Sequence, residues 1–246
     1  MKVPDQAQFH RFAVYYDLLN ETKDYHLETV RLAAIAKRFS TGSPRTWLDV
    51  ACGTGRHLEY LRHRYDATGL DLSREMLRIA RRRLPGTPLL RGDMRTFRTG
   101  HTFDVVSCLF SAIGHLRTRR DVQGAFANFY RHLNPGGVAI VEPWIDPAVF
   151  HAGFVQLRTY EGTKGLIARM AFSGRQGNRS IVDFHFLIGK HGDGVRFFVE
   201  SDIGLLLSRK QLMGLMGSAG FKTHFLTKGF TTGRGLLVGV RPRLAK

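Results

Sequence analysis

Three acidic residues stand at intervals that suit the binding of a nucleoside bearing a positive charge. In WLDVACGTGRHLEYL an apolar run ends in Asp49 and passes through Ala51, Cys52, Gly53 and Gly55 into an amphipathic segment. Small residues at such a turn let a ligand approach the backbone closely. Asp71 closes a second apolar run, TGLDLS, 22 residues beyond Asp49 and about where a carboxylate reaches ribose hydroxyls in nucleoside-binding sheets. Asp93 follows a third run, within Gly92-Asp93-Met94. A pyrophosphate loop would read G-x-G-x-x-G and aim a helix N-terminus at phosphate. Here an acid opens the loop, and Asp49 would repel phosphate but suit a cationic amino acid moiety. Taken alone, the glycine-rich turn would also serve a dinucleotide. His115 comes after a fourth run, FDVVSCLF, where an imidazole of ordinary pKa ~6.5 could take up a proton. Arg234, between Gly233 and Gly235, could grip a phosphate or sugar oxygen with both arms of its guanidinium.

Residues so spaced meet only if several strands end side by side. From Trp47 onward short apolar runs alternate with amphipathic segments: TWLDVA, RHLEYLRHRY, ATGLDL, REMLRIARRRL, PLLRG, FDVVSCLF, a helix around Gly124 to Leu133, and GVAIVEPW. This alternation predicts an α/β fold with a mostly parallel sheet, and the nearly continuous Val, Leu, Ile and Phe content predicts helices on both faces, a doubly wound arrangement. Upstream, Tyr25 to Phe39 repeats apolar residues at helical spacing, behind a polar-aromatic arm, FHRFAVYYDLLNETKDY. Between about Phe150 and Val199 β-rich pieces separated by glycine-containing turns predict an antiparallel insertion. SRKQLMGLMGSAGF then predicts a capped helix ending at Gly220, and GRGLLVGV a closing strand.

At 246 residues the chain suits one large domain, or one domain with an insertion, and its 43% hydrophobic content excludes global disorder. The formal charge of +17, from 28 Arg and 9 Lys against 20 acids, favours anionic partners. The arginines never form a solid basic block; the densest runs, Arg81 to Arg83 and RTRR (Arg117 to Arg120), read as solvated helix ends. Two cysteines, Cys52 and Cys108, make no disulfide framework and fit a reducing cytoplasm. The N-terminus lacks an apolar core of the secretory kind, and no stretch approaches the ~18 uncharged residues of a membrane span, so a cytoplasmic protein without a membrane partner is expected.

The motifs LDVACGTGRHL, GLDLSREMLRIARRRLPG, RGDMR, CLFSAIGHL, LNPGGVAIVEPW and GRGLLVGV together resemble a class I S-adenosylmethionine (SAM) dependent methyltransferase, and more narrowly the N,N-dimethyltransferases of nucleotide-linked amino deoxysugars in antibiotic biosynthesis. The resemblance runs from about Tyr16 to Val240. It implies a mostly parallel seven-stranded sheet, with 1–45 as an arm and helix closing over the cofactor, 46–148 and 203–241 as the SAM-binding core, and 149–202 as the insertion that serves substrate and homodimer contacts. SAM is the implied cofactor and S-adenosylhomocysteine its product, with no metal. Carried over residue by residue, it places the methionine moiety on Tyr25 and on the loop holding Asp49, Ala51, Cys52, Gly53 and Gly55. The ribose falls to Asp71, with Leu72 and Met76 beside it, the adenine to Asp93 and Met94, and the floor under the sulfonium to Leu109. Tyr16 and His115 become the catalytic candidates and Trp144 and Arg234 acceptor contacts, while Arg175 and Arg179 in the insertion could hold a diphosphate.

The chain departs from that family in ESDIGLLLS, where Asp202 stands at a position commonly held by a His. The implied activity is mono- and then dimethylation of the amino group of a dTDP-linked deoxysugar. Other readings are methylation of another small molecule or of RNA, or a SAM-binding subunit without catalysis. The charge would suit RNA, but no RNA-binding module is attached, and Phe110-Ser111-Ala112-Ile113 stands where a nucleic-acid methylase would carry an Asn-Pro-Pro-Tyr type motif.

Overall fold

The computed structural model describes residues 9–162, 165–190, 192–230 and 233–243. The first eight residues of the expected arm lie outside these. In chain order the elements are α1 Phe9–Leu19, α2 Tyr25–Phe39, β1 Thr46–Val50, α3 Arg56–Leu61, β2 Asp66–Asp71, α4 Arg74–Arg83, β3 Leu89–Arg91, β4 Phe103–Cys108, α5 Arg119–Arg131 and β5 Leu133–Val141. Then come β6 Val155–Gly162, β7 Gly165–Gln176, β8 Arg179–Lys190, β9 Gly194–Leu205, α6 Arg209–Ser218, β10 Lys222–Leu226 and β11 Leu236–Val240. A single 3-10 turn, Ala112–His115, follows β4.

Seven strands form one sheet in the order β10-β11-β5-β4-β1-β2-β3. β1 pairs in parallel with β2 and β4, so Asp49 lies in register with Gly69 and Ser107, and the carboxyl ends of these strands come out together. β11 runs antiparallel to both β5 and β10. Two apolar layers sandwich the sheet. One, including Phe126, Phe129, Leu212 and Met216, gathers α5 and α6, and the other, including Leu32, Leu58, Leu61 and Leu77, gathers α2, α3 and α4. Helix starts follow their polar caps: Ser73 accepts from the Met76 amide, Thr118 and Asp121 form a capping box, and so do Ser208 and Gln211. No helix among the described residues is long and apolar enough to cross a membrane.

Several local expectations change. The arm is helical over α1, because Tyr15, Leu18 and Leu19 pack on Ile167, Phe186 and Ile188 of the insertion. α5 begins at Arg119, and Leu133 already belongs to β5, in register with Phe103. β10, the run KTHFL, carries no strong alternation, and its place comes from pairing with β11.

The insertion is a four-stranded antiparallel sheet, β6-β7-β8-β9. Register pairs Leu157 with Met170, Val155 with Phe172 and Leu187 with Phe197, which puts these exposed side chains on one face. The opposite face carries Ile167, Phe186 and Phe198 toward α1.

Candidate functional site

The loop after β1 carries the first half of the site. Ala51, Gly53 and Gly55 all have left-handed backbone, at φ 58°, 56° and 81°. At Gly55 a Cβ would come within 2.6 Å of Leu84 Cδ1, whereas above Gly53 it would meet nothing within 4 Å, so the loop presents open backbone toward the site. The Asp71 carboxylate fixes this loop: Oδ2 accepts from the Gly53 amide and Oδ1 from the Ser73 amide, both at 2.8 Å. Burial pushes the Asp71 carboxyl up, against those backbone donors. Leu72 next to it is partly open, and Met76 is buried in the first turn of α4. The Cys52 amide donates to Leu70, and burial raises the Cys52 thiol well above its ordinary value.

Asp49 ends a buried relay in which Trp47 Nε1 donates to Ser107 Oγ at 2.8 Å and Ser107 Oγ donates to Asp49 Oδ1 at 2.6 Å. Burial pushes its carboxyl up to about 6, even though His57 and Ser107 favour the anion. A buried carboxylate with too few compensating cations fits a cationic ligand and disfavours a phosphate. The folded-state value lies above that of the unfolded chain, so this group's stabilisation is present below about pH 4 and is lost as pH rises through about 6. Asp49→Asn, which keeps the acceptor for Ser107, is therefore expected to raise the stability of the unliganded protein by about 2–3 kcal/mol at pH 7.5 but not at pH 4. Thermal melts of both forms at the two pH values check this, and an equal difference at each would refute it.

Above the loop, α1 and the start of α2 are tied down. Asp17 Oδ1 accepts from Thr54 Oγ1 and Asp17 Oδ2 pairs with Arg83 Nη2, each at 2.6 Å, while Arg83 Nη1 donates to the Thr54 carbonyl. Arg83 is thus a clasp and not a solvated helix end; Arg81 and Arg82 remain exposed. Tyr25 is buried, its ring meeting His57 edge-on at 5.0 Å with the Arg56 guanidinium 4.9 Å from its centre. The Lys23 ammonium pairs with Glu28 and lies 4.8 Å from the Phe110 ring and 5.3 Å from that of Tyr25. Burial alone would push Glu28 up, but hydrogen bonds from His57 and Lys23 outweigh it and hold the carboxyl low.

At the end of β3, Asp93 is gripped by Arg95 at 2.6 Å, and Arg95 reaches on to Asp121 at 2.7 Å, which keeps the Asp93 carboxyl below its usual range. Met94 packs partly buried on the core, its carbonyl accepting from Asn128. Leu109 is buried just past β4.

A second group of side chains is built on the loop after β4. Phe110 and Ser111 are both left-handed, at φ 51° and 62°, conformations that cost on the order of 1–3 kcal/mol each in non-glycine residues. Two buried contacts hold them: the Phe110 amide donates to Glu142 Oε2 and Ser111 Oγ to the Pro143 carbonyl, both at 2.7 Å. The 3-10 turn that follows delivers His115, whose ring centre lies 5.6 Å from that of Trp144. Arg234 Nη1 donates to Ser111 Oγ at 2.5 Å, and its guanidinium lies 5.4 Å from the Trp144 ring. Tyr16 meets the Phe110 ring edge-on at 6.2 Å, and burial pushes its phenol well up. Trp144 Nε1 in turn donates to Ser180 Oγ in β8. Asp202 of β9 brings Oδ1 to 3.1 Å from His115 Nδ1.

Tyr16, His115, Trp144 and Arg234 thus gather around one loop, beside the Asp49 and Asp71 strand ends. Arg179 reaches the Arg117 carbonyl at the rim of this group, whereas exposed Arg175 donates to Gly177 within its own hairpin. The supports Asp17, Thr54, Arg83, Ser111, Glu142 and Lys23 were not singled out as such from the sequence, although Thr54, Arg83, Ser111 and Glu142 lie within its motifs; paired left-handed backbone at Phe110-Ser111 leaves no mark in residue type. The open glycine loop, the buried Asp49 and the carboxylate at Asp71 fit the cationic head and ribose of SAM.

Comparison with known proteins agrees with this geometry. A methyltransferase domain family matches residues 48–137. The chain is 40% identical, over 92% of its length and 95% of the relative's, to the dTDP-3-amino-3,4,6-trideoxy-alpha-D-glucopyranose N,N-dimethyltransferase of Streptomyces venezuelae. It is 39% identical, over 79% of its length and 78% of the relative's, to the dTDP-4-amino-2,3,4,6-tetradeoxy-D-glucose N,N-dimethyltransferase of Saccharopolyspora spinosa. The SAM-bound structure of CalS10, an amino pentose methyltransferase from Micromonospora echinaspora involved in calicheamicin biosynthesis, superposes with a TM-score of 0.83 at 35% identity, covering 98% of this chain and 99% of that one. With a seven-stranded class I methyltransferase sheet and likeness over nearly its whole length, the chain belongs to the SAM-dependent N,N-dimethyltransferases of dTDP-linked amino sugars.

Proposed function

We propose that this protein adds one and then a second methyl group to the amino nitrogen of a deoxysugar carried on thymidine diphosphate. The observation that carries this reading is the convergence of Tyr16, His115, Trp144 and Arg234 from four separate segments on the loop after β4. SAM supplies an electrophilic methyl group on a sulfonium whose leaving group is a neutral thioether, so the protein's share is alignment and proton removal. Alignment of two bound reactants is worth up to roughly 7–11 kcal/mol in model systems. In this reading Asp49, Tyr25 and the Ala51–Gly55 loop hold the methionine moiety, Asp71 the ribose, Asp93 and Met94 the adenine, with Leu72, Met76 and Leu109 lining the cleft.

On the other side Trp144 offers a flat face to the sugar, and Arg234 a guanidinium to sugar or phosphate oxygens. Burial lowers the Arg234 pKa, and the delocalised guanidinium of an arginine keeps its charge in proteins. Arg179 stands at the rim for the diphosphate, with exposed Arg175 beyond it, and the +17 charge favours this anionic substrate. A cytoplasmic location agrees with two free, buried cysteines. Mass spectrometry of products from a panel of dTDP-linked sugars with the amine at C3 or C4 tests the proposal. Gain of two methyl groups on one panel member is expected, and no methylation of any of them would refute it.

A homodimer joined through the insertion belongs to the same proposal. Exposed Leu157, Met170, Phe172, Leu187 and Phe197 form one apolar face, and β6 and β9 are open edges among the described strands. Sedimentation is expected to find a dimer at micromolar concentration, and Phe172→Asp to dissociate it. A wild-type monomer would refute the assignment.

A further inference from the structure

Asp202 of β9 is turned toward the 3-10 turn after β4. β9 lies against the 3-10 turn that carries His115. Asp202 sits on the same face of β9 as Phe198, the face turned toward α1 and away from the exposed apolar side. Its Oδ1 comes to 3.1 Å from His115 Nδ1, with both side chains largely buried, 25% and 28% exposed. Trp144 confines the ring, at 5.6 Å between centres.

We infer that Asp202 is a positioning residue that forms a dyad with His115, its carboxylate stabilising the imidazolium that forms when the ring accepts the proton of the sugar ammonium. This rests on the proposed function for the identity of the acceptor, but not for the dyad itself. Each methyl transfer to a protonated amine releases one proton. The proton leaves nitrogen for the imidazole, freeing the lone pair that forms the new C–N bond as the donor's S–CH3 bond breaks and its electron pair stays on the departing thioether, and the imidazolium is balanced by the Asp202 carboxylate until it loses the proton to solvent. The product amine carries a proton again, so the second methylation uses the same cycle.

The charged groups facing His115 are Asp202 from β9, Asp71 from the end of β2 and Arg234 from the loop before β11. Arg234 is itself opposed by Glu142 and Asp202, and the Tyr16 phenol of α1 feels Asp71 and Asp202. Burial would push the imidazole's pKa down, but the Asp202 carboxylate outweighs burial and Arg234 and raises it. An amide at 202 would remove that charge while keeping nearly the same shape.

NMR titration of the histidine rings in the protein without ligands, wild type against Asp202→Asn, tests the dyad directly. The His115 midpoint is expected to fall by about one to three pH units, the range for loss of an adjacent opposite charge. The acidic limb of the kcat profile is expected to move down with it, and Asp202→Glu to restore part of both. An unmoved His115 midpoint would overturn the inference, as would a lower kcat on an unmoved pH profile, which is the pattern of a merely structural role. Should Asp202→Asn fail to fold, Asp202→Ser is read by the same titration. If the midpoint falls but wild type methylates no amino sugar, the dyad stands and the functional reading fails; if wild type is active and the midpoint stays, the reverse holds.

Discussion

His115→Ala is expected to lower kcat by roughly 10²- to 10⁴-fold, the usual contribution of a positioned acid-base group, while leaving SAM affinity within a few-fold of wild type. The imidazole sits on a 3-10 turn held open by two left-handed residues, faces Asp202, and packs on Trp144 at the mouth of the site. In the proposed reading its loss removes the proton acceptor and one wall of the acceptor cleft together. Arg234→Ala provides the contrast: an arginine that grips substrate oxygens in ground and transition state alike raises the acceptor KM with little change in kcat. Steady-state kinetics of the two variants separate the roles, and a His115→Ala enzyme with full kcat would remove His115 from catalysis altogether.

Asp71→Ala weakens SAM binding by about 1.5–3 kcal/mol, roughly 10- to 150-fold, as expected for hydrogen bonds to a charged group. The loss has two sources. One is the pair of ribose hydroxyls the carboxylate would hold. The other is the loop, because the same two oxygens accept the Gly53 and Ser73 amides, and without them the left-handed turn at Ala51, Gly53 and Gly55 loses its anchor. Asp71→Asn is expected to lose nearly as much, since an amide can accept from one backbone donor but presents its NH2 to the other. Calorimetry with SAM measures both variants, and unchanged affinity in either would refute the ribose assignment.

The proposed cofactor half could be read from the sequence as a candidate because its residues are close in the chain and constrained by type. Three strand ends carry Asp49, Asp71 and Asp93, glycines mark the turn that needs left-handed backbone, and the alternation of runs dictates a parallel sheet whose ends must align. The acceptor half was visible as separate candidates without their mutual geometry. Tyr16, His115, Trp144 and Arg234 span more than two hundred residues, and only the sheet order and the helical α1 bring them to one loop.

By itself the sequence determined the class of fold and the family, since each depends on local spacing or whole-length likeness. Tertiary structure alone decided that Arg83 clasps α1 through Asp17, that Glu142 and Ser111 hold the strained loop, and that Asp202, an apparent departure, faces His115. The reason is physical. A side chain's charge and reach are properties of its type, but the partner that sets its pKa and orientation arrives from a strand dozens of residues away, and strand register, not sequence distance, fixes which atoms come within 3 Å.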